Sequence, residues 1–386
     1  MNKVENIPYA VPYIDDEEIK ELIDTVRSGW LSKGPKTVEF ENKFKKYVDA
    51  EHAIGLNSCT AGLHISLIAA GIGEGDEVIT TPYTFVASSN TIIHAGATPV
   101  FVDIDPITMN IDVNKIEEKI TQKTKAILPV HFAGYPCDMD PIMEIAQKYN
   151  LTVIEDAAHA VYTQYKGKMI GSIGDYTCFS FYATKNLVTG EGGMVTTGNE
   201  ESADKLRVMS LHGMSKNAWN RYAEKGSWYY EVEYPGFKYN MTDIQASMGL
   251  VQLEKMQKMQ QIREDYAEMY NKAFSGIKGL TIPFSDEVNR HAWHLYVLRV
   301  DSKKFSIDRS EFIEKLTEKG IGTSVHFIPV PMHPYYKRQG YNIEDYPNAL
   351  AAYEGAISLP LYPKMDKGQV NRVIQAVCEI AETYKR

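Results

Sequence analysis

Residues 178–197 read CFSFYATKNLVTGEGGMVTT, an apolar run and a glycine-rich turn with one lysine, Lys185, between them. Cys178–Phe181 has the look of a short buried strand, and "GGMVTT" that of another. A lysine is ordinarily a solvated surface group, and that is the plain reading of one standing before Gly190, Gly192 and Gly193. Anchored beside a sheet, however, a lysine is desolvated, which favours its neutral amine, and a neutral amine can attack a carbonyl to form a Schiff base. The glycines allow close backbone approach. The question for the rest of the chain is whether it builds a sheet with a ligand at its carboxyl edge.

It alternates strongly. From Ala53 onward short β-rich runs, "DEVITT", "TPVFVDI", "KAILPV", "LTVIED", "YTCFSF" and "GGMVTT", are separated by helical stretches near Ala87–His94, in "MDPIMEIAQKYN" and through Leu206. Such alternation predicts a mainly parallel sheet covered by helices on both faces. Ahead of it, Ile19, Leu22, Ile23 and Val26 fall at helical spacing in an amphipathic first helix. After about Asn240 the texture changes to one long helical run capped at Thr242 or Asp243, with Met256 and Met259 as core filling. The strand "AWHLYVLRV", a helix stopped by Gly320, a strand "TSVHF" and a terminal helix follow. We therefore expect an α/β fold with a large domain over residues 1–240, including the N-terminal segment, and a connecting helix plus smaller α/β domain over residues 241–386.

Length and charge narrow the class. A chain of 386 residues with a net charge of −9 lacks the basic surplus that nucleic-acid binding wants. No run of eighteen apolar residues suggests a membrane span, and the start has no apolar signal core. Cys59, Cys137, Cys178 and Cys378 lie far apart, so neither a disulfide framework nor a zinc site is expected. A cytoplasmic enzyme is the expectation.

Ligands of open α/β sheets sit beyond the carboxyl ends of the strands. Three post-strand features suit one cofactor there. "NSCTAGLH" places small residues, Asn57 to Thr60, at a helix start, where free backbone N–H groups receive anions, although Ser and Thr are equally plain N-caps. Asp156 directly follows the strand of "LTVIEDAAHA"; it is either a cap for a following helix or a carboxylate able to hold the proton on a pyridine nitrogen. His159, three residues on, is a cofactor contact or a satisfied interior histidine. Lys185 is the third. Phe85 of "TPYTFVAS" could cover a ring face, or pack in the core. A phosphate cradle, an aspartate and a lysine in this order fit pyridoxal 5′-phosphate.

The ordered segments "SGWLSKGPKTVEFE", "NSCTAGLH", "GDEVITTPYTFVAS", "GATPVFVDID", "PVHFAGYPCDMD", "VIEDAAHA", "FSFYATKN…GEGG", "GFKYNMTDIQAS", "GIGTSVHF" and "SLPLYP" resemble the DegT-type nucleotide-sugar aminotransferases over nearly the whole chain. These are pyridoxal-phosphate enzymes of the aspartate-aminotransferase fold, type I. The resemblance is nearest to the branch that aminates the 4-keto carbon of a UDP-sugar, including the UDP-4-amino-arabinose enzymes of lipopolysaccharide modification. It implies that Lys185 forms the Schiff base with the cofactor, Asp156 pairs with the pyridine nitrogen and Phe85 stacks on the ring. It also implies that Thr60, Ala61 and Ser180 hold the phosphate, that Asn240 reaches it from the partner of a homodimer, and that His326, Trp30 and Lys33 border the substrate. L-Glutamate is the implied donor, leaving as 2-oxoglutarate.

Tyr182 stands where the 4-amino branch carries histidine and is more like the 3-keto branch, whereas His159 resembles the 4-keto branch. A non-catalytic cofactor-binding sensor would have lost Lys185 or Asn240, and both are present. An enzyme for amino acids alone would want an arginine clamp for a second carboxylate, and the small domain shows none in a matching position. The aromatic segment "WNRYAEKGSWYYEVEYPGFKYN" suits a nucleotide and sugar, or a packed surface loop.

Overall fold

The computed structural model describes residues 6–214 and 230–386. In chain order the elements are α1 (Asp16–Ser28), α2 (Pro35–Tyr47), β1 (His52–Leu56), α3 (Cys59–Ala69), β2 (Glu77–Thr80), α4 (Ala87–His94), β3 (Thr98–Phe101), β4 (Thr124–Leu128), α5 (Met139–Tyr149) and β5 (Thr152–Asp156). A small ribbon, β6 (Gln164–Tyr165) and β7 (Lys168–Met169), precedes β8 (Tyr176–Ser180), β9 (Gly193–Thr197) and α6 (Glu200–Met209). The long α7 (Asp243–Phe274) leads to β10 (Leu280–Thr281), β11 (Tyr296–Val300), α8 (Arg309–Glu318), α9 (Pro334–Arg338), α10 (Pro347–Gly355), β12 (Ala356–Leu359) and α11 (Lys367–Thr383).

Among the described residues the main sheet has seven strands in the order β1-β9-β8-β5-β4-β2-β3. It is parallel except for β9, which runs against both its neighbours. Period-two alternation sends Ile79, Ile127, Val153, Phe179 and Met194 to one face, packed with Phe40 and Phe44 of α2. Val78, Ala126, Ile154, Cys178 and Val195 go to the other, against Leu63 and Leu67 of α3. Both faces are dry, which is why apolar residues occupy both faces of these strands. The smaller antiparallel sheet β10-β11-β12 carries its own core, in which Tyr270 and Phe274 of α7 meet Leu298, Ile357 and Val377. Met256 and Met259, earlier on α7, are buried in the large core as expected. Helix α7 thus joins the two, and its start is fixed by a reciprocal cap between Thr242 and Gln245.

Three expectations are corrected. The "TSVHF" run forms no strand; Ser324 makes an isolated bridge to Ser358, and the chain then turns inward at His326. No helix follows Asp156, so Asp156 is not an N-cap and His159 does not share a helical side with it; residues 157–163 run as turns. Helix α1 is amphipathic but faces the other way. Glu18 is fully buried, accepting from Gln252 and Lys255 of α7, while Ile19, Ile23 and Val26 are exposed. The ion pair with Lys255 decides which edge docks. The N-terminal segment crosses to the smaller sheet, where the Ile7 amide donates to Gly320 O at 2.8 Å and Ile7 O accepts from Gly322 N at 2.8 Å. Of the aromatic segment beginning at Trp219, residues 219–229 lie outside the described residues.

Candidate active site

Strands β4, β5 and β8 end at a cavity of about 480 Å³, closed on the far side by the N-terminal segment, α7 and the smaller sheet. Asp156 ends β5 and is buried. Ser88 Oγ, on α4, donates to Asp156 Oδ2 at 2.7 Å, and the Ala158 amide donates to Oδ1 at 3.1 Å. Thr84 Oγ1 stands 2.9 Å from Ser88 Oγ, continuing the chain of hydroxyls back to the cavity wall. Burial pushes the Asp156 pKa up, only partly offset by these donors and by Lys185. Among the described residues no cation lies within ion-pairing distance of Asp156. A buried carboxylate without a counter-charge is costly, and it is aimed at the place where a ring N–H⁺ would supply one.

Lys185 follows β8 in a turn closed by its amide donating to Tyr182 O at 2.9 Å. Its neighbour Asn186 locks the turn: Nδ2 donates to Ala292 O at 2.7 Å, and Oδ1 lies 3.0 Å from His294 Nδ1. Burial lowers the Lys185 pKa to about 8, against the opposing effects of Asp156 and Cys59. A far larger share of the amine is therefore unprotonated near neutrality than for a free lysine.

His159 Nδ1 accepts from the Ala133 amide at 3.2 Å, so the ring proton sits on Nε2. Burial, then the charges of Lys185 and His326, hold its pKa well below the usual range. Its ring lies 4.4 Å from that of His294 and is stacked at 5.8 Å on Phe327. His326 Nδ1 lies 2.8 Å from Ser358 Oγ, and burial lowers its pKa to about 4.

At the opposite end of the cavity Ser58 caps α3, accepting from the Ala61 amide at 3.1 Å. The approach of this helix start to β9 requires glycine: a Cβ on Gly193 would stand 2.4 Å from the Ser58 carbonyl carbon. Thr60 and Ser180 line the cavity beside it. Phe85, 59% exposed, presents its ring to the cavity instead of packing in the core.

Of the residues singled out in the sequence, Lys185, Asp156, His159, Thr60, Phe85, Ser180, Tyr182 and His326 share this one cavity. Ala61, Asn240, Trp30 and Lys33 do not line it. The Ala61 amide is taken by the cap, and Asn240 Nδ2 donates to Met241 O at 3.0 Å. Lys33 pairs with Glu41 at 3.3 Å, and Trp30 is exposed between α1 and α2. Ser88, His294, Tyr9 and Arg263 were not foreseen. Each sits inside a helix or an irregular segment, with no strand end to mark it.

The residues fit pyridoxal phosphate: a helix start with hydroxyls for its phosphate, an unpaired buried carboxylate for its ring nitrogen, an aromatic face and a weakly basic lysine. The fold and site together define a pyridoxal-phosphate-dependent aminotransferase. The chain belongs to the DegT/DnrJ/EryC1/StrS aminotransferase family, which it matches over residues 12–378. It is 59% identical to the spore coat polysaccharide biosynthesis protein SpsC of Bacillus subtilis (strain 168), over 97% of each chain. Among solved structures it is similar to Spr1654 from Streptococcus pneumoniae in its PLP form, with a TM-score of 0.91 at 37% identity over 98% and 99% of the two chains. PseC of Helicobacter pylori, an aminotransferase involved in the biosynthesis of pseudoaminic acid, matches with a TM-score of 0.91 at 29% identity over 98% and 100%.

Proposed function

We propose that this sugar aminotransferase moves an amino group from L-glutamate to C4 of a UDP-linked keto sugar, for a cell-surface polysaccharide or lipopolysaccharide, in the cytoplasm. The observation that carries the reading is the shared cavity in which Lys185, its amine pKa lowered to about 8, stands with the unpaired Asp156. The name of SpsC supports the polysaccharide setting. His159, lining the cavity where a 3-keto enzyme would tend to carry glutamine, supports C4 over C3.

When bound, pyridoxal phosphate supplies a carbonyl that condenses with primary amines and a ring that accepts the electrons of a bond broken at the adjacent carbon. Ser180, Thr60 and the start of α3 would hold its phosphate, Phe85 one ring face, and Asp156 its ring proton. Lys185 would anchor it, and the freed amine would take the proton from the donor α-carbon and later deliver one to the sugar carbon, acting as base and then acid. Tyr182 and His326, which line the same cavity, would contact the sugar nucleotide. Asn240 would complete the phosphate contacts of a partner subunit, with Trp30 and Lys33 bordering that subunit's site. The exposed apolar residues Ile19, Ile23, Val26, Trp30 and Leu31 support a homodimer. We assign residues 1–240 to the N-terminal segment and large cofactor-binding domain and 241–386 to the connecting helix and small domain, with the N-terminal segment reaching across to the small-domain side of the cavity.

The test is a pair of half-reactions. L-Glutamate should bleach the yellow protein, and one of a panel of UDP- and dTDP-keto sugars should restore the colour. Recovery only with a 3-keto sugar would move the reaction to C3, and no bleaching by any amino donor would favour a non-catalytic sensor.

A further inference from the structure

Arg263, on α7, is 3% exposed and lines the cavity from the side of the smaller sheet. Its Nη1 donates to the carbonyls of Trp293 at 3.2 Å and Leu361 at 2.7 Å. Its Nε is buried without a partner, and among the described residues no carboxylate pairs with the guanidinium. Burial lowers its pKa to about 10, which still leaves it a cation at neutral pH. Two neutral carbonyls do not compensate a buried charge, and leaving one unpaired is strongly unfavourable. The Tyr9 side chain lies beside it and near Ser358, whose Oγ stands 2.8 Å from His326 Nδ1. The cavity therefore has two anion-seeking walls: the start of α3, and Arg263 with Tyr9.

We propose that Arg263 receives the α-carboxylate of the amino donor, with the Tyr9 hydroxyl beside it. The assignment rests on the transaminase reading above and adds to it the subsite that selects the donor. Depth distinguishes a carboxylate from the other available anion. The diphosphate of a sugar nucleotide carries a nucleoside on its far side and must lie toward the mouth, whereas a group as buried as Arg263 is reached by a small, terminal anion. The planar guanidinium offers adjacent N–H donors matched to a carboxylate. The keto acid that leaves keeps this carboxylate, so both donor and its product fit.

The experiment uses cofactor-loaded protein and reads each half-reaction by the cofactor's colour. Arg263→Gln should raise the half-saturating concentration of L-glutamate by about thirtyfold or more, the scale of a lost charge-assisted hydrogen bond. It should move that of the keto-sugar nucleotide less than about threefold, and Arg263→Lys should recover part of the loss. On wild-type protein, 4-aminobutyrate, which lacks the α-carboxylate, should bleach at no more than about a hundredth of the glutamate rate. Unchanged glutamate saturation in Arg263→Gln overturns the proposal, as does an equal or larger shift for the sugar nucleotide, which would place the diphosphate there. If Arg263→Gln does not fold, Tyr9→Phe and the donor panel decide: raised glutamate saturation with discrimination against 4-aminobutyrate supports the site, and 4-aminobutyrate as good as glutamate removes it. If glutamate fails while another α-amino acid bleaches the protein, the glutamate reading falls and the carboxylate site stands.

Discussion

Lys185 ties chemistry to pH. A protonated amine does not attack a carbonyl, so with its pKa lowered to about 8 by burial, the reactive fraction rises about tenfold per pH unit below that value and levels above it. Cofactor capture by the cofactor-free protein, followed by stopped-flow absorbance, should show this profile, with the bend near pH 8 and not near that of a free lysine. Asp156→Ala should retain the fold and lose on the order of a thousandfold in the rate of donor deprotonation, measured in single turnover. Ser88→Ala removes the 2.7 Å bond to Asp156, together with the 2.9 Å contact to Thr84, and leaves the Ala158 amide as the donor to the carboxylate. It should raise the pH at which the bound chromophore titrates, because a carboxylate that loses a donor favouring its charge is the stronger base and holds the ring proton more firmly. An unchanged spectrum would make Ser88 packing only. At this scale Asp156 and Lys185 were legible because one ends an apolar strand and the other lies in the turn that follows one, where a polar residue must answer to a ligand or a cap. Arg263 was not: inside "MQQIREDY" it has the spacing of any charged helical position, and only the fold shows that this position faces inward.

Among the elements, α1 shows how pattern and partner can part. Its apolar spacing predicts a helix, and the helix is there, but Glu18 goes into the protein to meet Lys255 and Gln252, while Ile19, Ile23 and Val26 stay at the surface. Periodicity fixes that such a stripe exists and not what covers it. If a second copy does, Ile23→Glu should shift the protein to a monomer in analytical ultracentrifugation and lower activity with it; a dimer that survives would place the interface elsewhere. The strand expected at "TSVHF" failed for a related reason: a short apolar run carries little information about whether a ladder partner is available, and here only Ser324 finds one. Helix α3 depends on an absence. With the Gly193 Cβ placed 2.4 Å from the Ser58 backbone, Gly193→Ala must displace the helix start, and cofactor retention on dialysis should fall steeply while the far-ultraviolet spectrum stays close to wild type.

Over the whole molecule, the alternation of strand and helix was enough to announce a parallel sheet, since strands dry on both faces can hardly be written otherwise. What local pattern cannot carry is the long-range closure. Residues far apart in the chain meet around the cavity: Tyr9 and Tyr13 near the start, Asp156 and Lys185 in the middle, Leu361 and Tyr362 near the end. The Ile7 backbone bonds to Gly320 and Gly322 have a consequence in time. The segment that carries Tyr9 leaves the ribosome well before its docking site, which is made some three hundred residues later, at about 5–20 residues per second on the order of 15–60 s of synthesis. During that interval the large sheet, with Asp156 and Lys185, can form while one wall of the cavity is missing. Stalled nascent chains ending before residue 320 should accordingly fail to retain pyridoxal phosphate, and released full-length chains should acquire it, so the order of translation itself keeps a reactive cofactor away from a half-built site.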